Sequence, residues 1–249
     1  MIRESSRSIS AIDTTGPTDT LTIEGLTAGY GQSVVLHDVS IEVSLGSVVC
    51  LIGRNGVGKT TLLKAIMGLI KPRTGSVILD GQDLSNAPPY QRARAGLAYV
   101  PQGKGIFPHL TVRENLLMGL ETGRATSDAL DEGYDLFPVL KTMGDRAAGR
   151  LSGGQQQQLD IARAMLGRPR VMLLDEPTEG IQPSVIWEIE RVVDALRARG
   201  DISVLLVEQF VEFAIGVSDV FYLMEKGTIV SQGSAEELTE GTIREFLAV

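Results

Sequence analysis

One cysteine, Cys50, is all the chain carries, so no disulfide can close within it, and a reducing compartment is its expected setting. Val48, Val49, Leu51 and Ile52 flank that thiol and predict that it is buried rather than reactive. No apolar run approaches the roughly 18 to 20 residues needed to cross a bilayer, and no apolar stretch of the secretory kind stands at the N-terminus. A soluble, cytoplasmic protein is expected. Basic residues are in deficit, 23 Lys and Arg against 31 Asp and Glu, and the formal charge of −8 argues against nucleic acid as the main partner. Binders of DNA or RNA present a basic face that releases counterions. Internal repeats, low-complexity tracts and dividing linkers are absent as well, so 249 residues imply one sizeable core, or one core with a subdomain attached.

Residues 1–18 are rich in Ser, Thr and charge without a hydrophobic period and are expected to form a mobile tail, leaving 19–249 as a single domain. Leu21 and Ile23 flank Thr22, and Val39, Ile41, Val43 and Leu45 alternate with polar neighbours, which predicts antiparallel strands over 20–45. Ser47 to Ile52 reads as a short strand entering a glycine turn. The spacing of Leu62, Leu63, Ile66 and Leu69 predicts a helix over 59–70. Val77 to Leu79 followed by Asp80-Gly81 predicts another strand and turn. Between about 85 and 165 the pattern becomes helical, most plainly at 112–120 and 129–136, and resembles a helical insertion. Strand-like runs return at 171–174, 202–207 and 220–224, with a helix over 183–199 between the first two, so a parallel sheet covered by helices is expected.

Gly53-Arg54-Asn55-Gly56-Val57-Gly58-Lys59-Thr60 fits the phosphate-binding pattern G-x-x-x-x-G-K-[ST]. Its glycines allow a tight loop with backbone N–H groups turned inward, and the helix that follows adds its positive end, so anionic phosphate belongs there. Lys59 is placed to reach the β- and γ-phosphates of ATP, and the Thr60 hydroxyl to coordinate Mg²⁺. Asp175 ends an apolar strand as a second Mg²⁺ ligand, and Glu176 after it is the candidate base for an attacking water. Adjacent acids at a strand end also occur as plain helix caps, and Leu151-Ser152-Gly153-Gly154-Gln155 is by itself a weak signal, as apt for a helix cap as for an anion cradle.

These motifs in this order resemble the ATP-binding-cassette (ABC) ATPases: the phosphate loop at 53–60, Gln102 in Tyr99-Val100-Pro101-Gln102, LSGGQ at 151–155, and Asp175-Glu176. The resemblance spans about residues 20–249. It implies the P-loop ABC ATPase fold, an α/β architecture with a mainly parallel core sheet, an antiparallel β-subdomain and a helical subdomain at about 85–165. It also implies that two cassettes enclose two ATP molecules, each between one chain's phosphate loop, including Thr61, and the other's Ser152, Gly153, Gly154 and Gln155. Tyr30 would stack on adenine, and Gln102 would touch Mg²⁺ or the attacking water.

Several positions depart from the family pattern. Gln209, in Val207-Glu208-Gln209, stands where the family has a switch histidine, and the only histidines are His37 and His109. Glutamine can hydrogen-bond a γ-phosphate but carries no proton near neutral pH. Gln182 replaces a frequent aspartate, and Lys104-Gly105 stands where Arg-Glu is expected. Lys104-Gly105 apart, Val207-Glu208-Gln209, Pro101-Gln102-Gly103, Ile106-Phe107-Pro108 and the stretch from Thr178 to Ser184 resemble the ATPases of importers for branched-chain amino acids, urea or short-chain amides, nearest the urea branch. That implies a second cassette, identical or paralogous, permease subunits contacted by residues about 85–120, a solute-binding protein acting indirectly, and a place on the inner face of the cell membrane. Other classes remain in view: a soluble clamp or assembly ATPase, and a nucleotide-sensing scaffold that barely hydrolyses.

Overall fold

The computed structural model describes residues 19–103, 105–122 and 129–237; the N-terminal stretch 1–18 and Lys104 lie outside them. Two sheets carry the architecture. The smaller is antiparallel, with strands in the order β2-β1-β4-β5: β1 (Asp19–Tyr30), β2 (Ser33–Ser44), β4 (Thr74–Leu79) and β5 (Gln82–Asp83). The larger has the order β10-β9-β3-β8-β7-β6, built from β3 (Val48–Ile52), β6 (Leu97–Val100), β7 (Val171–Asp175), β8 (Ser203–Glu208), β9 (Val220–Glu225) and β10 (Thr228–Ser234). Its pairs are parallel from β9 through β3, β8 and β7 to β6, and only β10 runs antiparallel. The helices are α1 (Lys59–Ile66), α2 (Pro89–Ala95), α3 (Val112–Met118), α4 (Ala129–Leu136), α5 (Pro138–Thr142), α6 (Gly153–Leu166), α7 (Pro183–Arg199) and α8 (Val211–Val217). Among the described residues, no helix is long and apolar enough to cross a membrane.

The period of two along a strand splits the core into two layers. Cys50, Leu174 and Leu206 face one apolar cluster, which they share with Leu159 of α6, Val193 of α7 and Phe213 of α8. Leu51, Leu173 and Leu205 face the other, with Leu62 and Leu63 of α1 and with Leu21 and Ile41 of the smaller sheet. Each such leucine, fully buried, contributes about 1.5 to 3 kcal/mol of transfer free energy. The same parity sends Asp175, two residues past Leu173, toward the α1 layer, and Glu208, two past Leu206, toward the α7 and α8 layer. Thus the strand period alone separates the surroundings of these two carboxylates.

Three differences from the sequence reading have local causes. The stretch read as helical from about 85 contains β6, an edge strand of the larger sheet; four residues are too few for an alternating pattern to stand out. β10 was not foreseen because its residues are half-buried or exposed throughout. The helix read as 59–70 ends at Ile66, where Gly68 turns the chain with φ 78°.

Candidate functional site

Between β3 and α1 the chain makes a loop in which Gly56 and Gly58 take φ values of 80° and 118°, a region that side chains with a Cβ seldom enter. A Cβ on Gly53 would press against the Met224 carbonyl oxygen at 2.7 Å. Gly58 is the N-cap of α1 and brings no side-chain hydrogen bond, and the first turn holds no acid, so the opening N–H groups of the helix stay available to an anion. The loop borders a cleft of about 380 Å³ lined by Tyr30, Val35, Asn55, Gly56, Gly58, Lys59, Thr60, Thr61, Gln102 and Glu176.

Lys59 is buried, and its Nζ donates to the carbonyl oxygens of Gly53 at 2.7 Å and Arg54 at 3.1 Å. The same ammonium lies 2.9 Å from Glu176 Oε1. Glu176 Oε2 accepts from Gln102 Nε2 at 2.9 Å, and that amide also donates to Glu179 Oε2 at 2.8 Å. Beside them Thr60 Oγ1 donates to Asp175 Oδ1 at 3.0 Å, while Tyr99 Oη donates to Asp175 Oδ2 at 2.9 Å. Burial pushes the Asp175 carboxyl up from its ordinary range, and these two hydroxyls pull the other way. Burial, and then the Asp175 charge, push the Tyr99 phenol well above its ordinary range, so it stays a neutral donor.

Glu176 adopts φ 46°, the left-handed region, which is costly for a residue with a side chain and concentrates at functional sites. Among the described residues, no cluster of three or more His, Cys, Asp or Glu side chains is arranged for a metal. Asp175 and Thr60 supply two hard oxygen donors that already touch. Such a pair suits Mg²⁺, which binds through one or two protein oxygens, its own waters and substrate phosphates.

Two groups read from the sequence lie elsewhere. Gln209 is exposed and lines an adjoining cleft of about 410 Å³, which shares Glu176 with the first. Ser152, Gly153, Gly154 and Gln155 do not line the phosphate cleft. They open α6, where Ser152 Oγ accepts from the Gln155 backbone N–H at 3.2 Å and Gln155 Oε1 accepts from the Ser152 N–H at 3.0 Å, a reciprocal cap. Gln182 is the N-cap of α7 and makes no side-chain cap. Sequence reasoning gives no part to Val35, Glu179 or Glu208, which line these clefts, or to Tyr99, which reaches Asp175; the contacts that place them join elements that no local spacing links.

A phosphate-binding loop before a helix, and paired carboxylates at the end of the parallel strand one beyond its neighbour, define a P-loop nucleotide-binding ATPase. The ABC transporter family profile matches residues 36–179. High-affinity branched-chain amino acid transport ATP-binding protein BraG of Pseudomonas aeruginosa is 39% identical over 228 residues, 90% of this chain and 97% of that protein. Lipopolysaccharide export system ATP-binding protein LptB of Acidithiobacillus ferridurans is 36% identical over 223 residues, 88% of this chain and 92% of that one. In structure, the ADP conformation of an ATP-binding cassette of an ABC transporter superposes with a TM-score of 0.79 at 29% identity, covering 92% of this chain and 98% of the other. The chain belongs to the ABC transporter family, as an ATP-binding cassette with the fold of its ATPases.

Proposed function

We propose that this cassette is the ATP-hydrolysing subunit of an importer for branched-chain amino acids, urea or short-chain amides, working with a second cassette and with permease subunits at the inner face of the membrane. One observation carries the reading: Lys59, Gln102 and Glu176 form one bonded group lining the cleft and Thr60 with Asp175 a second beside it, while Ser152 to Gln155 open a helix that does not line it. A cleft built on one side only suits a site completed by the signature segment of a second cassette, identical or paralogous.

The residues divide the work. Loop amides from Gly53 to Thr61 cradle phosphate, Tyr30 packs on the base, and Lys59 leaves Glu176 for the incoming phosphate oxygens. Glu176, freed from the ammonium, orients and deprotonates water, while Gln102 and Gln209 flank it. Thr60 and Asp175 would hold Mg²⁺, which neutralises phosphate charge when bound. ATP closes a cassette pair because it binds the closed state better than the open one, and hydrolysis releases that preference to drive the permeases.

The substrate class rests on the likeness to BraG and on the motif Val207-Glu208-Gln209 with Thr178 to Ser184. A solute-binding protein would deliver the solute to the permeases. The test is magnesium-dependent ATP turnover by the purified chain against a Lys59→Ala control, followed by uptake of labelled urea, acetamide and leucine by cells with and without the gene. Turnover no higher than in the control sinks the enzymatic reading. Uptake unchanged for all three solutes sinks the importer reading.

A further inference from the structure

Glu208 ends β8 with 2% of its surface exposed and with no ion pair among the described residues. Its charge is met by hydrogen-bond donors alone. Oε1 accepts from the Thr178 hydroxyl at 2.8 Å and from the Thr178 N–H at 3.2 Å. Oε2 accepts from the backbone N–H groups of Gln209 at 3.0 Å and Phe210 at 3.2 Å. Burial pushes this carboxyl above its ordinary range, and the same donors oppose that shift. One side chain therefore ties the loop after Glu176 to the loop that bears Gln209.

The tie bears on Glu176 through the backbone. Glu176 N–H donates to the Val207 carbonyl oxygen at 2.9 Å, and Thr178, two residues on, is fixed to Glu208. Between these anchors Glu176 takes φ 46°, a conformation that persists only where the surroundings over-determine it. Glu208 has no place among the residues lining the phosphate cleft.

We propose that Glu208 is a positioning residue that clamps Thr178 to the Gln209 loop and thereby holds Glu176 in its left-handed conformation, aimed into the phosphate cleft. The proposal rests on the hydrolytic role of Glu176 given above. A cation would tie these loops less well, because both offer N–H donors; a carboxylate has four acceptor positions and fills them here. Glutamine of the same size keeps one acceptor oxygen but sets an NH₂ against N–H donors at the other, and valine at 178 removes the hydroxyl while keeping the shape.

Steady-state ATP turnover of the full-length parent, E208Q, T178V, T178S and the double variant E208Q/T178V tests the clamp. The expected result is a kcat lower by roughly tenfold to a hundredfold in E208Q and a smaller loss in T178V, with KM for ATP within twofold of the parent's. T178S restores the hydroxyl and most of kcat. The double variant falls no further than E208Q, since both changes break one link. Parent-like kcat in E208Q and T178V, a loss carried by KM, or additive losses in the double variant would each overturn the clamp. Should E208Q fail to fold, T178V against T178S decides alone. A parent without turnover above Lys59→Ala instead removes the hydrolytic reading, an outcome separate from these.

Discussion

Lys59 Nζ stands 2.9 Å from Glu176 Oε1, with both side chains buried. On the proposed function, the ammonium that would take phosphate is thus neutralised by the carboxylate that would activate water. A phosphate entering the cleft would then compete with Glu176 for Lys59, so that its binding and the release of the base would be one event.

That competition gives Glu176→Gln two opposite effects. Without nucleotide the variant loses the buried charge pair, while Lys59 keeps the Gly53 and Arg54 carbonyls, so stability drops by about 1 to 3 kcal/mol. With MgATP the phosphate meets a lysine that no carboxylate holds, and the thermal shift on adding nucleotide exceeds the parent's. Turnover falls by about a hundredfold or more. Thermal melts with and without MgATP, beside a turnover assay, check both signs; a smaller nucleotide shift than the parent's contradicts the competition.

Arg92 of α2 is 1% exposed and has no carboxylate within ion-pair distance among the described residues. Its guanidinium donates to four carbonyls: Ala65 at 3.0 Å, Ile66 at 2.6 Å, Ala87 at 2.8 Å and Ser85 at 2.8 Å. Two of these close the end of α1, where carbonyls lack helical partners and the dipole is negative. A lysine offers three donors from a single point and cannot span that set. Arg92→Lys should lose about 2 to 3 kcal/mol in urea unfolding with ATP affinity little changed, because the loop end of α1 is untouched. Equal midpoints for parent and variant would show that the carbonyls find other partners.

Legibility from sequence followed the range of the interactions. Gly56, Gly58 and Lys59 were readable because a phosphate loop is made by neighbouring residues, and Ser152 because a helix cap spans four positions. Thr60 with Asp175, and Lys59 with Glu176, meet only because β3 and β7 both border β8, an order that no spacing states. Tyr99 has no task readable from its motif, since the partner of its hydroxyl lies on the next strand. β6 escaped notice within a helical stretch for being four residues long. Glu208 has no task readable from Val207-Glu208-Gln209, because the donors that meet its carboxylate include Thr178 from a loop thirty residues away.

Gly105 sits where the family resemblance calls for a glutamate, and the structure supplies a cause. Its N–H donates to Asp160 Oδ2 at 2.8 Å, and its carbonyl accepts from Arg163 Nη2 at 2.8 Å. An added Cβ would overlap the Asp160 carboxylate, which is itself buried. Gly105→Ala should therefore cost about 1 to 3 kcal/mol, and less in an Asp160→Ala background where the obstruction is gone. A double-mutant cycle in urea measures the difference. Additive losses would mean that the glycine is needed for its backbone and not for its neighbour.

Cys50 provides the pH test. It is wholly buried in β3, and burial, followed by the nearby Glu208 charge, pushes its thiol well above the ordinary range, with Lys59 opposing. In the unfolded chain the thiol ionises in that ordinary range; in the folded protein it stays protonated. The folded state then binds the extra proton, so this group withdraws stability as pH rises through and beyond the ordinary thiol pKa, and has no effect below it. Cys50→Ala should lessen the alkaline fall in unfolding free energy while adding a constant loss of about 1 kcal/mol from the lost packing. The thiolate is the reacting species, so the parent should resist iodoacetamide at pH 8 until urea unfolds it. Rapid alkylation of the folded chain, or an alkaline limb unchanged in Cys50→Ala, would show that the thiol reaches solvent or ionises in place.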